Sequence, residues 1–463
     1  MARVKKKESL TMEEKLESAL VPDDEQPYDV PENWCWVKLK SLSEIISKGT
    51  TPRGGKSAYK EQGIDFLRVE NIEDNGSINH DNIAKVSEEE HNGFLKRSIL
   101  QKGDVLVSIA GTLGRTAIVK ETDLPLNTNQ AIAFVRLVSQ EKIDLNYIKR
   151  AIDSPRIQEC LLSKTKVTAI PNLTLEIIGD CCIPFPPLSE QHRIVERIES
   201  LFSQLDEARD KAQEALDGFE IQKAMILNKA FTGSLTNKWR EKKGISDDTW
   251  QHTTLGKIAS FHQGIQVPVE QQYDDYTEDR IRFIRIVDYT QGNEEPRFIE
   301  KSIASDASIV SGDEIVMVRY GASAGFVGDG IKGAIANNMF TITLNEAENQ
   351  PYVKCFLKSP QMYKILNTSG GSSAMSALNF KTLSAVNIQL PSLDEQKEVC
   401  RVIDKMLSEY DTTQTIYQEV ISQIELTKKS ILAKVFRGEL GTNDPDDESA
   451  IELIKRILKE QEN

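Results

Sequence analysis

An internal repeat constrains the fold of this chain more than any other feature of the sequence. The motif at 186–191 (PPLSEQ) reappears 205 positions later at 391–396 (PSLDEQ). The same offset places 226–235 (ILNKAFTGSL) onto 431–440 (ILAKVFRGEL), with no insertion or deletion in between. Self-similarity of this kind is the signature of repeated structural units. The sequence therefore predicts two related halves.

The apolar spacing inside the repeated block predicts two long helices. Apolar residues step alternately by 4 and 3 positions, and this sustained period is typical of coiled coils rather than of an ordinary amphipathic helix in a globular core. We expect the helices to start with Ser189 and Asp394 as N-caps, to end near Gly233 and Gly438, and to pack antiparallel. The expected seam residues are Ile194, Ile198, Leu201, Leu205, Ala208, Ala212, Ala215 and Phe219, against Val399, Ile403, Met406, Tyr410, Thr413, Tyr417, Val420 and Ile424.

The segments before the two helices repeat more loosely and predict two α/β globules. Short β-branched runs such as 64–69 and 281–286 are bounded by turn residues, as in strands, whereas 146–163 and 352–367 are expected to be helical. The predicted fold class is therefore α/β (α+β), with two α/β domains separated by a pair of long antiparallel coiled-coil helices in a pseudo-two-fold repeat. The expected segments are 1–32 (N-terminal segment), 33–188 (first globule), 189–243 (first long helix), 244–392 (second globule), 393–440 (second long helix) and 441–463 (C-terminal tail helix).

Charge and composition restrict the class of protein. Hydrophobic residues make up 39% and charged residues 28% of the chain, which is ordinary for a globular protein. The net charge of −14 argues against binding a polyanion unless cations are locally concentrated. No run approaches 18 consecutive apolar residues, and the start of the chain lacks the apolar core of a signal peptide. We therefore expect a cytoplasmic protein without a membrane segment.

Motifs for catalysis or metal binding are missing from the sequence. The six cysteines are scattered, which predicts reduced thiols and neither a zinc site nor a disulfide framework. The run 328–333 (GDGIKG) fits a dinucleotide-binding pattern, but β-like residues follow where a helix should begin, so a glycine-rich hairpin turn is the better interpretation. The run 54–57 (GGKS) lacks the correctly spaced glycine of a phosphate-binding loop. We expect a binding or assembly subunit that is not itself an enzyme and holds no metal.

The order of the repeated motifs resembles the DNA-specificity subunits of type I restriction-modification systems. In the first half these motifs are 66–72 (FLRVENI), 103–115 (GDVLVSIAGTLGR), Asn129-Gln130 and the PPLSEQ run, and the resemblance extends from about Trp34 to Leu440. The second half departs from the pattern, with 319–325 (RYGASAG) in place of the glycine loop and Asn337-Asn338 in place of Asn-Gln. Such divergence is expected if the two globules read different bases.

The resemblance implies a division of labour along the chain. The globules 33–188 and 244–392 would be target-recognition domains that each read one half of a split, asymmetric sequence in double-stranded DNA. The long helices would act as spacer regions and dock two adenine methyltransferase subunits, which in turn carry the endonuclease and translocase subunits. We expect the terminal segments 1–32 and 441–463 to dock these partners. S-adenosylmethionine, ATP and Mg would belong to the partner subunits, with no cofactor in this chain.

Candidate DNA-binding residues are those on turns and strand ends that can pair with base edges or phosphates. A rival interpretation is a coiled-coil scaffold that joins two protein-binding modules and touches no nucleic acid, which explains the acidic charge equally well. The candidates are Arg53, Lys56, Arg68, Asn71, Thr112 and Arg115 in the first globule, and Gln266, Arg282, Arg285, Arg319, Tyr320 and Ser323 in the second.

Overall fold

The computed structural model of the chain divides into two compact units. Unit 1 comprises Met1–Lys211 and Val420–Asn463, and unit 2 comprises Ala212–Glu419. Both boundaries fall inside long helices, so each unit contains one globule and part of each helix, and the predicted α/β class with an internal repeat is confirmed. The structure describes residues 11–163, 172–246, 249–292, 295–321, 323–359, 362, 366, 378 and 380–461, without the side chain of Lys56.

The globule of unit 1 contains three sheets in its described part. The strands β1 and β9 form an antiparallel pair, β2-β8-β5-β6 form an antiparallel sheet in that order, and β4-β3-β7 form a small sheet in which β3 and β7 are parallel. These strands are β1 (Cys35–Lys38), β2 (Ser43–Lys48), β3 (Ile64–Leu67), β4 (Ala84–Val86), β5 (Val105–Ser108), β6 (Thr116–Ile118), β7 (Leu126–Thr128), β8 (Ile132–Leu137) and β9 (Cys182–Phe185).

The globule of unit 2 repeats this topology. The antiparallel pair is β10-β19, the larger sheet has the order β11-β18-β15-β16, and the smaller sheet has the order β13-β12-β17-β14 with β12 and β17 parallel. These strands are β10 (Gln251–Thr254), β11 (Ala259–Gln263), β12 (Arg280–Ile284), β13 (Arg297–Glu300), β14 (Ile309–Val310), β15 (Ile315–Val318), β16 (Val327–Gly328), β17 (Gly333–Ile335), β18 (Met339–Leu344) and β19 (Asn387–Leu390).

The strand after each Gly-Asp motif is buried on both faces because it separates two hydrophobic cores. In β5, Val105 and Val107 pack into the core that reaches the long helices, while Leu106 packs into the core of the smaller sheet. In β15, Ile315 and Val316 face the two corresponding cores of unit 2. Side chains alternate across a strand, so a run that is apolar at every position suits a strand covered on both sides.

The glycine-rich run 328–333 does not form the predicted hairpin. The strand β16 before it pairs with β15, whereas the strand β17 after it pairs with β12 and β14. The run therefore crosses from the larger sheet to the smaller one. No helix follows it, as the sequence also predicted.

The short helices differ from prediction mainly where proline interrupts them. The expected helix over 146–163 is two helices, because Pro155 begins the second one and a proline is tolerated only in the first turn. Part of the expected helix over 352–367 lies outside the described residues. The shorter helices are Met12–Ala19, Leu39–Leu42, Glu88–Asn92, Leu145–Asp153, Pro155–Ser163, Leu175–Gly179, Asn237–Lys243, Leu255–Ile258, Ile286–Thr290, Gln350–Leu357, Phe380–Ser384 and Ala450–Glu460.

Two helices of nearly equal length dominate the repeat, as predicted. Long helix 1 spans Leu188–Phe231 and long helix 2 spans Leu393–Val435. Gly233 and Gly438 follow their ends with φ of +81° and +73°, a left-handed conformation that favours glycine. The N-cap prediction was wrong by two positions: both helices begin at leucine, so Pro187 and Ser392 are the N-caps, and Ser189 and Asp394 lie in the first turn.

The two long helices run antiparallel within each unit. In unit 1, Lys428 of long helix 2 pairs with Asp206 of long helix 1 at 2.6 Å. In unit 2, Lys223 pairs with Asp411 at 3.0 Å, and Phe219 packs edge-on against Tyr410 with ring centroids 5.4 Å apart. The helices therefore contact each other through both apolar and charged side chains.

The contact between the helices departs from a strict heptad. Ile198 is fully buried, but the next deeply buried residue is Phe202, while Leu201 is only half-buried. The predicted seam positions Ala208 and Val420 are exposed. A straight α-helix has 3.6 residues per turn, so a stripe with a period of 3.5 rotates by about 20° per heptad relative to it. The sequence pattern therefore identified the seam residues near the helix ends better than those in the middle.

A buried glutamate in each repeated motif attaches one long helix to the chain segment that follows the other. In unit 1, Glu190 accepts a hydrogen bond from Thr442 Oγ1 at 2.6 Å, and burial raises its pKa. In unit 2, Glu395 accepts hydrogen bonds from Thr236 Oγ1 at 2.6 Å and from Trp250 Nε1 at 3.1 Å, and it forms a buried ion pair with Arg240. These contacts hold the start of each long helix to the segment that follows the end of the other long helix.

The terminal helices pack against unit 1 instead of presenting open apolar stripes. Leu453, Ile454 and Ile457 of the C-terminal helix are buried in the main core of this unit, and Ala19 of the N-terminal helix joins the same core. The backbone N–H of Ala450 also donates to the carbonyl of residue 33. The apolar side chains of these helices are therefore covered by their own chain and do not offer an open apolar face to a partner.

Candidate nucleic-acid interface

In the first globule a cleft with polar and apolar walls opens where the chain leaves β2 and enters β8. Gly49 follows β2, and its N–H donates to the carbonyl of Ile132 at 3.0 Å. A Cβ atom on Gly49 would lie 2.1 Å from the carbonyl oxygen of Asn129, so only glycine allows the two turns to approach this closely. The cleft encloses about 590 Å³. We call six of its polar residues turn cluster 1: Lys48, Thr50, Thr51, Arg97, Gln130 and Asn172.

Hydrogen bonds hold the side chains of turn cluster 1 in place. Arg97 Nε donates to Thr50 Oγ1 at 2.9 Å, and Thr51 Oγ1 donates to Gln130 Oε1 at 2.8 Å. Gln130 is exposed, and its amide N–H groups donate to none of the residues that the structure describes. None of the described residues that line this cleft is a carboxylate, so Lys48 and Arg97 make it locally cationic within an acidic chain.

The second globule has an equivalent pair of turns with different side chains. Gly264 follows β11, and its Cβ position would lie 2.3 Å from the carbonyl oxygen of Ala336. The residues around these turns form turn cluster 2: Gln263, Gln266, Arg319, Tyr320, Asn337 and Phe380.

Hydrogen bonds and ring contacts link the residues of turn cluster 2, and Arg319 is the cationic member of the cluster. Arg319 donates to Gln263 Oε1 at 2.6 Å, Gln263 Nε2 donates to the carbonyl of Asn337 at 2.7 Å, and Asn337 Nδ2 donates to Gln266 Oε1 at 3.2 Å. The Arg319 guanidinium lies 4.9 Å from the ring centroids of both Tyr320 and Phe380. The amides and the guanidinium offer hydrogen-bonding groups of the types that read base edges.

The predicted residues of the first globule divide into two groups, and none of them belongs to turn cluster 1. Asn71 is buried and accepts a hydrogen bond from the N–H of Arg68, while Arg115 donates to the carbonyl of Ile72 and pairs with Asp74, both at 2.8 Å. These three residues organise the loop after β3. The others lie on exposed turns: Arg53 over the ring of Phe94 at 4.6 Å, Thr112 in the glycine loop, and Lys56, whose side chain lies outside the described parts.

The structure brings together three of the six residues predicted in the second globule. Gln266, Arg319 and Tyr320 all belong to turn cluster 2. Arg282 and Arg285 lie instead beside the buried carboxylate of Asp288, at 3.4 and 3.3 Å, and this carboxylate offsets much of their charge. Ser323 lies in the loop before β16, where its carbonyl accepts the N–H of Phe326 at 3.0 Å.

The sequence predicted no member of turn cluster 1 and three of the six members of turn cluster 2. The pair Asn129-Gln130, matched by Asn337-Asn338 in the repeat, was a signal for two further members, Gln130 and Asn337. Arg97 and Phe380 carried no comparable signal, because tertiary packing brings them to the turns from distant parts of the sequence.

Among the described residues, no group of three or more His, Cys, Asp or Glu side chains is arranged to hold a metal ion. Within the same part of the chain, every helix is too short or too polar to cross a membrane.

Comparisons with known proteins agree with this architecture. The family model described as the type I restriction modification DNA specificity domain matches twice, at residues 31–215 and 247–426. The EcoBI specificity subunit of Escherichia coli is 23% identical over 458 residues, which is 93% of either chain. The EcoKI specificity subunit of Escherichia coli K12 is 23% identical over 471 residues, covering 93% of this chain and 96% of that one.

Solved structures show the same fold. The HsdS subunit from Thermoanaerobacter tengcongensis has a TM-score of 0.58 at 19% identity and covers 90% of this chain and 100% of its own. A second match is a chain of a solved structure that describes complex assembly and conformational transition of the type I R-M system. It has a TM-score of 0.69 at 19% identity and covers 89% of this chain and 100% of its own. With two domain matches spanning most of its length, this chain belongs to the family of type I restriction-modification DNA specificity subunits.

Proposed function

We propose that this chain recognises a split, asymmetric DNA sequence, each globule reading one half-site. The observation that carries the proposal is the pair of turn clusters. Both occupy the same turns of one repeated topology, but turn cluster 1 presents Lys48, Arg97 and Gln130, whereas turn cluster 2 presents amides and Arg319. Equivalent positions with unequal side chains suit two unequal half-sites joined by a spacer of fixed length.

Individual side chains in the turn clusters suit particular base edges. Gln130 and Asn337 carry the amide that pairs with N6 and N7 of adenine, and Arg319 carries the guanidinium that pairs with O6 and N7 of guanine. Lys48 and Arg97 are suited to phosphates, which supply much of the affinity of DNA-binding proteins. In this proposal Gln266 and Tyr320 complete the reading surface of the second globule.

The remaining candidates have supporting roles in the proposal. Arg53, Thr112 and Ser323 extend the surface toward the DNA backbone, because they lie on turns, and Lys56 stays a sequence-based prediction. Residues already engaged with their own loops hold those loops in shape instead of reading bases directly; they are Arg68, Asn71, Arg115, Arg282 and Arg285.

Partners would supply the chemistry. We propose that two adenine methyltransferase subunits dock on this chain and carry the endonuclease and translocase subunits, all in the cytoplasm. S-adenosylmethionine, ATP and Mg would bind to those partners, so that this chain selects the site without catalysing a reaction. A scaffold that touches no nucleic acid is not favoured, because the two family matches are to DNA specificity domains.

The test is to co-express the full chain with its methyltransferase and to map modified adenines across the host genome. We expect a split motif with one modified adenine on each strand. Gln130→Ala should weaken the discrimination between bases in one half-site only, and Gln266→Ala should weaken it in the other. The expected loss of discrimination is about 1 to 3 kcal/mol for each lost contact.

Matched glutamines provide the controls. Gln140 in the first globule and Gln291 in the second are exposed and lie outside both turn clusters, so their alanine variants should leave the motif unchanged. Absence of any sequence motif, together with no salt-dependent binding of DNA by the complex, would support the scaffold instead.

A further inference from the structure

A cavity of about 600 Å³ in unit 2 contains two cysteines that DNA recognition does not use. It lies between the helix Gln350–Leu357 and long helix 2, and both Cys355 and Cys400 line it. Both are partly buried at the edge of the main core of this unit, so their thiols combine a fixed position with access from the cavity.

The two thiols line the same cavity and lie in a charged environment. Lys354 and Lys358 line the same cavity, and both lie beside the carboxylate of Asp329. The hydrogen bond with Cys400 lowers the pKa of the Cys355 thiol, and the two lysines lower it further against the opposing effects of burial and Asp404.

The second thiol has the opposite tendency. Its contact with Cys355, together with burial, raises the pKa of Cys400. Lys354 lies on the same helix as Cys355, and Lys358 is the C-cap of that helix. Both lysines line the same cavity, and nearby cations favour a thiolate, so we assign Cys355 as the attacking cysteine and Cys400 as the resolving one.

The internal repeat shows that the architecture does not require this pair. At the offset of 205, Cys355 corresponds to Arg150 and Cys400 to Val195. Arg150 packs over the ring of Phe202, and Val195 is buried in the core of unit 1. The thiol pair is therefore a feature of the second half alone.

We propose that Cys355 and Cys400 form a dithiol site that reacts reversibly with small disulfides of the glutathione class. The Cys355 thiolate attacks one sulfur of the disulfide, forming a mixed disulfide and releasing one thiolate. Cys400 then loses its proton and attacks the Cys355 sulfur, forming the protein disulfide and releasing the second thiolate. The two cysteine protons leave with the released thiols, so two protein thiols are oxidised while one small disulfide is reduced.

The product would join two elements of unit 2 covalently. Cys355 belongs to a helix of the second globule and Cys400 to long helix 2, and they are 45 positions apart in the sequence. The bond would therefore restrict movement of this helix against the long helix that carries the globule.

The experiment incubates the full chain in buffers of increasing oxidised-to-reduced glutathione ratio, quenches with acid, alkylates the free thiols and maps the peptides by mass. We expect a linked Cys355–Cys400 peptide pair at ratios where Cys160, a partly buried thiol in unit 1, is still alkylated. In Cys400→Ser the mixed disulfide on Cys355 should accumulate. Cys160→Ser is the matched control and should leave the linked pair unchanged.

Two results would overturn the proposal. One is that both cysteines remain alkylated at ratios that already modify Cys160. The other is that, in the unsubstituted chain, the mixed disulfide on Cys355 persists without transfer to Cys400. Both readouts come from the unsubstituted chain, so they hold even if a serine variant folds poorly. Neither depends on DNA recognition, so failure here would leave the proposed function untouched.

Discussion

Tyr147 packs edge-on against Phe436, with ring centroids 5.5 Å apart, although the two residues belong to different halves of the repeat. The equivalent pair in unit 2 is Tyr352 and Phe231, also 5.5 Å apart. The tyrosines differ by 205 positions and so do the phenylalanines, so each tyrosine contacts the phenylalanine of the other half. The crosswise pairing matches the exchange at Glu190 and Glu395 and suggests how a half-length chain would behave.

A chain truncated after Lys243 should form a homodimer. It keeps Tyr147 and Phe231 but lacks Phe436, so Phe231 of a second copy can take the vacant place, since the same aromatic contact already exists in unit 2. A dimer with two identical readers has a two-fold axis, so its target should be a palindrome built from the first half-site. Light scattering during size-exclusion chromatography measures the mass, and footprinting on randomised DNA reads the target.

Phe231→Ala in the truncated chain is the control and should weaken the dimer. In this dimer, the small residues Ala212 and Ala215 of one copy would face the long helix of the other copy. Small residues at this contact leave cavities, which limit the stability of the dimer. A strictly monomeric fragment, or a dimer that still reads the full asymmetric site, would contradict the interchangeability of the two halves.

Charge at the helix seam should be costly in proportion to burial. Ile403 is 1% exposed, so Ile403→Asp buries an uncompensated carboxylate and should lower the free energy of unfolding by about 4 kcal/mol. Leu201→Asp should cost less, because Leu201 is half-buried and Phe202 occupies the core. Urea titrations measure both, with exposed Ser203→Asp as the reference. Equal, small effects of all three would mean that the seam is misassigned.

Removing residues 445–463 should destabilise unit 1 itself. The deletion removes Leu453, Ile454 and Ile457 from the core, and this uncovered core should lower Tm by several degrees. Loss of methyltransferase assembly, if it occurs, should then be restored at low temperature, where unit 1 stays folded.

A substitution at an exposed position of the C-terminal helix distinguishes its packing in unit 1 from direct docking of a partner. Glu452→Ala removes a surface charge without touching the core, so it should leave Tm unchanged. Assembly that fails with Tm intact would favour direct docking by this helix over the packing role.

The first globule should show a modest pH dependence through His80. Its ring hydrogen-bonds to Asp65 at 2.9 Å and to Asp123 at 3.2 Å, and these carboxylates raise the pKa of His80. A raised folded pKa means that the stabilisation is fully present below the unfolded value of about 6.5 and is lost as pH rises through the folded value. The side chain is 36% exposed, so the effect should stay below about 1 kcal/mol.

Asp65 should contribute in the opposite direction at acidic pH. Burial opposes its ionisation, but hydrogen bonds from Lys85 and His80 outweigh burial and lower its pKa. Its stabilisation is therefore present above the unfolded pKa of Asp65 and is lost as pH falls through the folded pKa.

Unfolding curves of the parent and His80→Gln, compared from pH 5 to 8, test the histidine contribution. Curves that stay parallel over this range would contradict it.

Local patterns determined the architecture of this protein, and long-range pairing decided its candidate site. The offset of 205, the period near 3.5 and the runs before each glycine loop predicted two globules and two paired helices, because helix and strand periods are written in neighbouring residues. Those periods do not say which distant residues meet. The structure alone decided that Arg97 reaches Thr50, that Arg319 reaches Gln263, and that the apolar terminal helices are covered by their own chain. Each of these contacts depends on how sheets and helices pack in three dimensions, and a spacing rule along the chain carries no record of that packing.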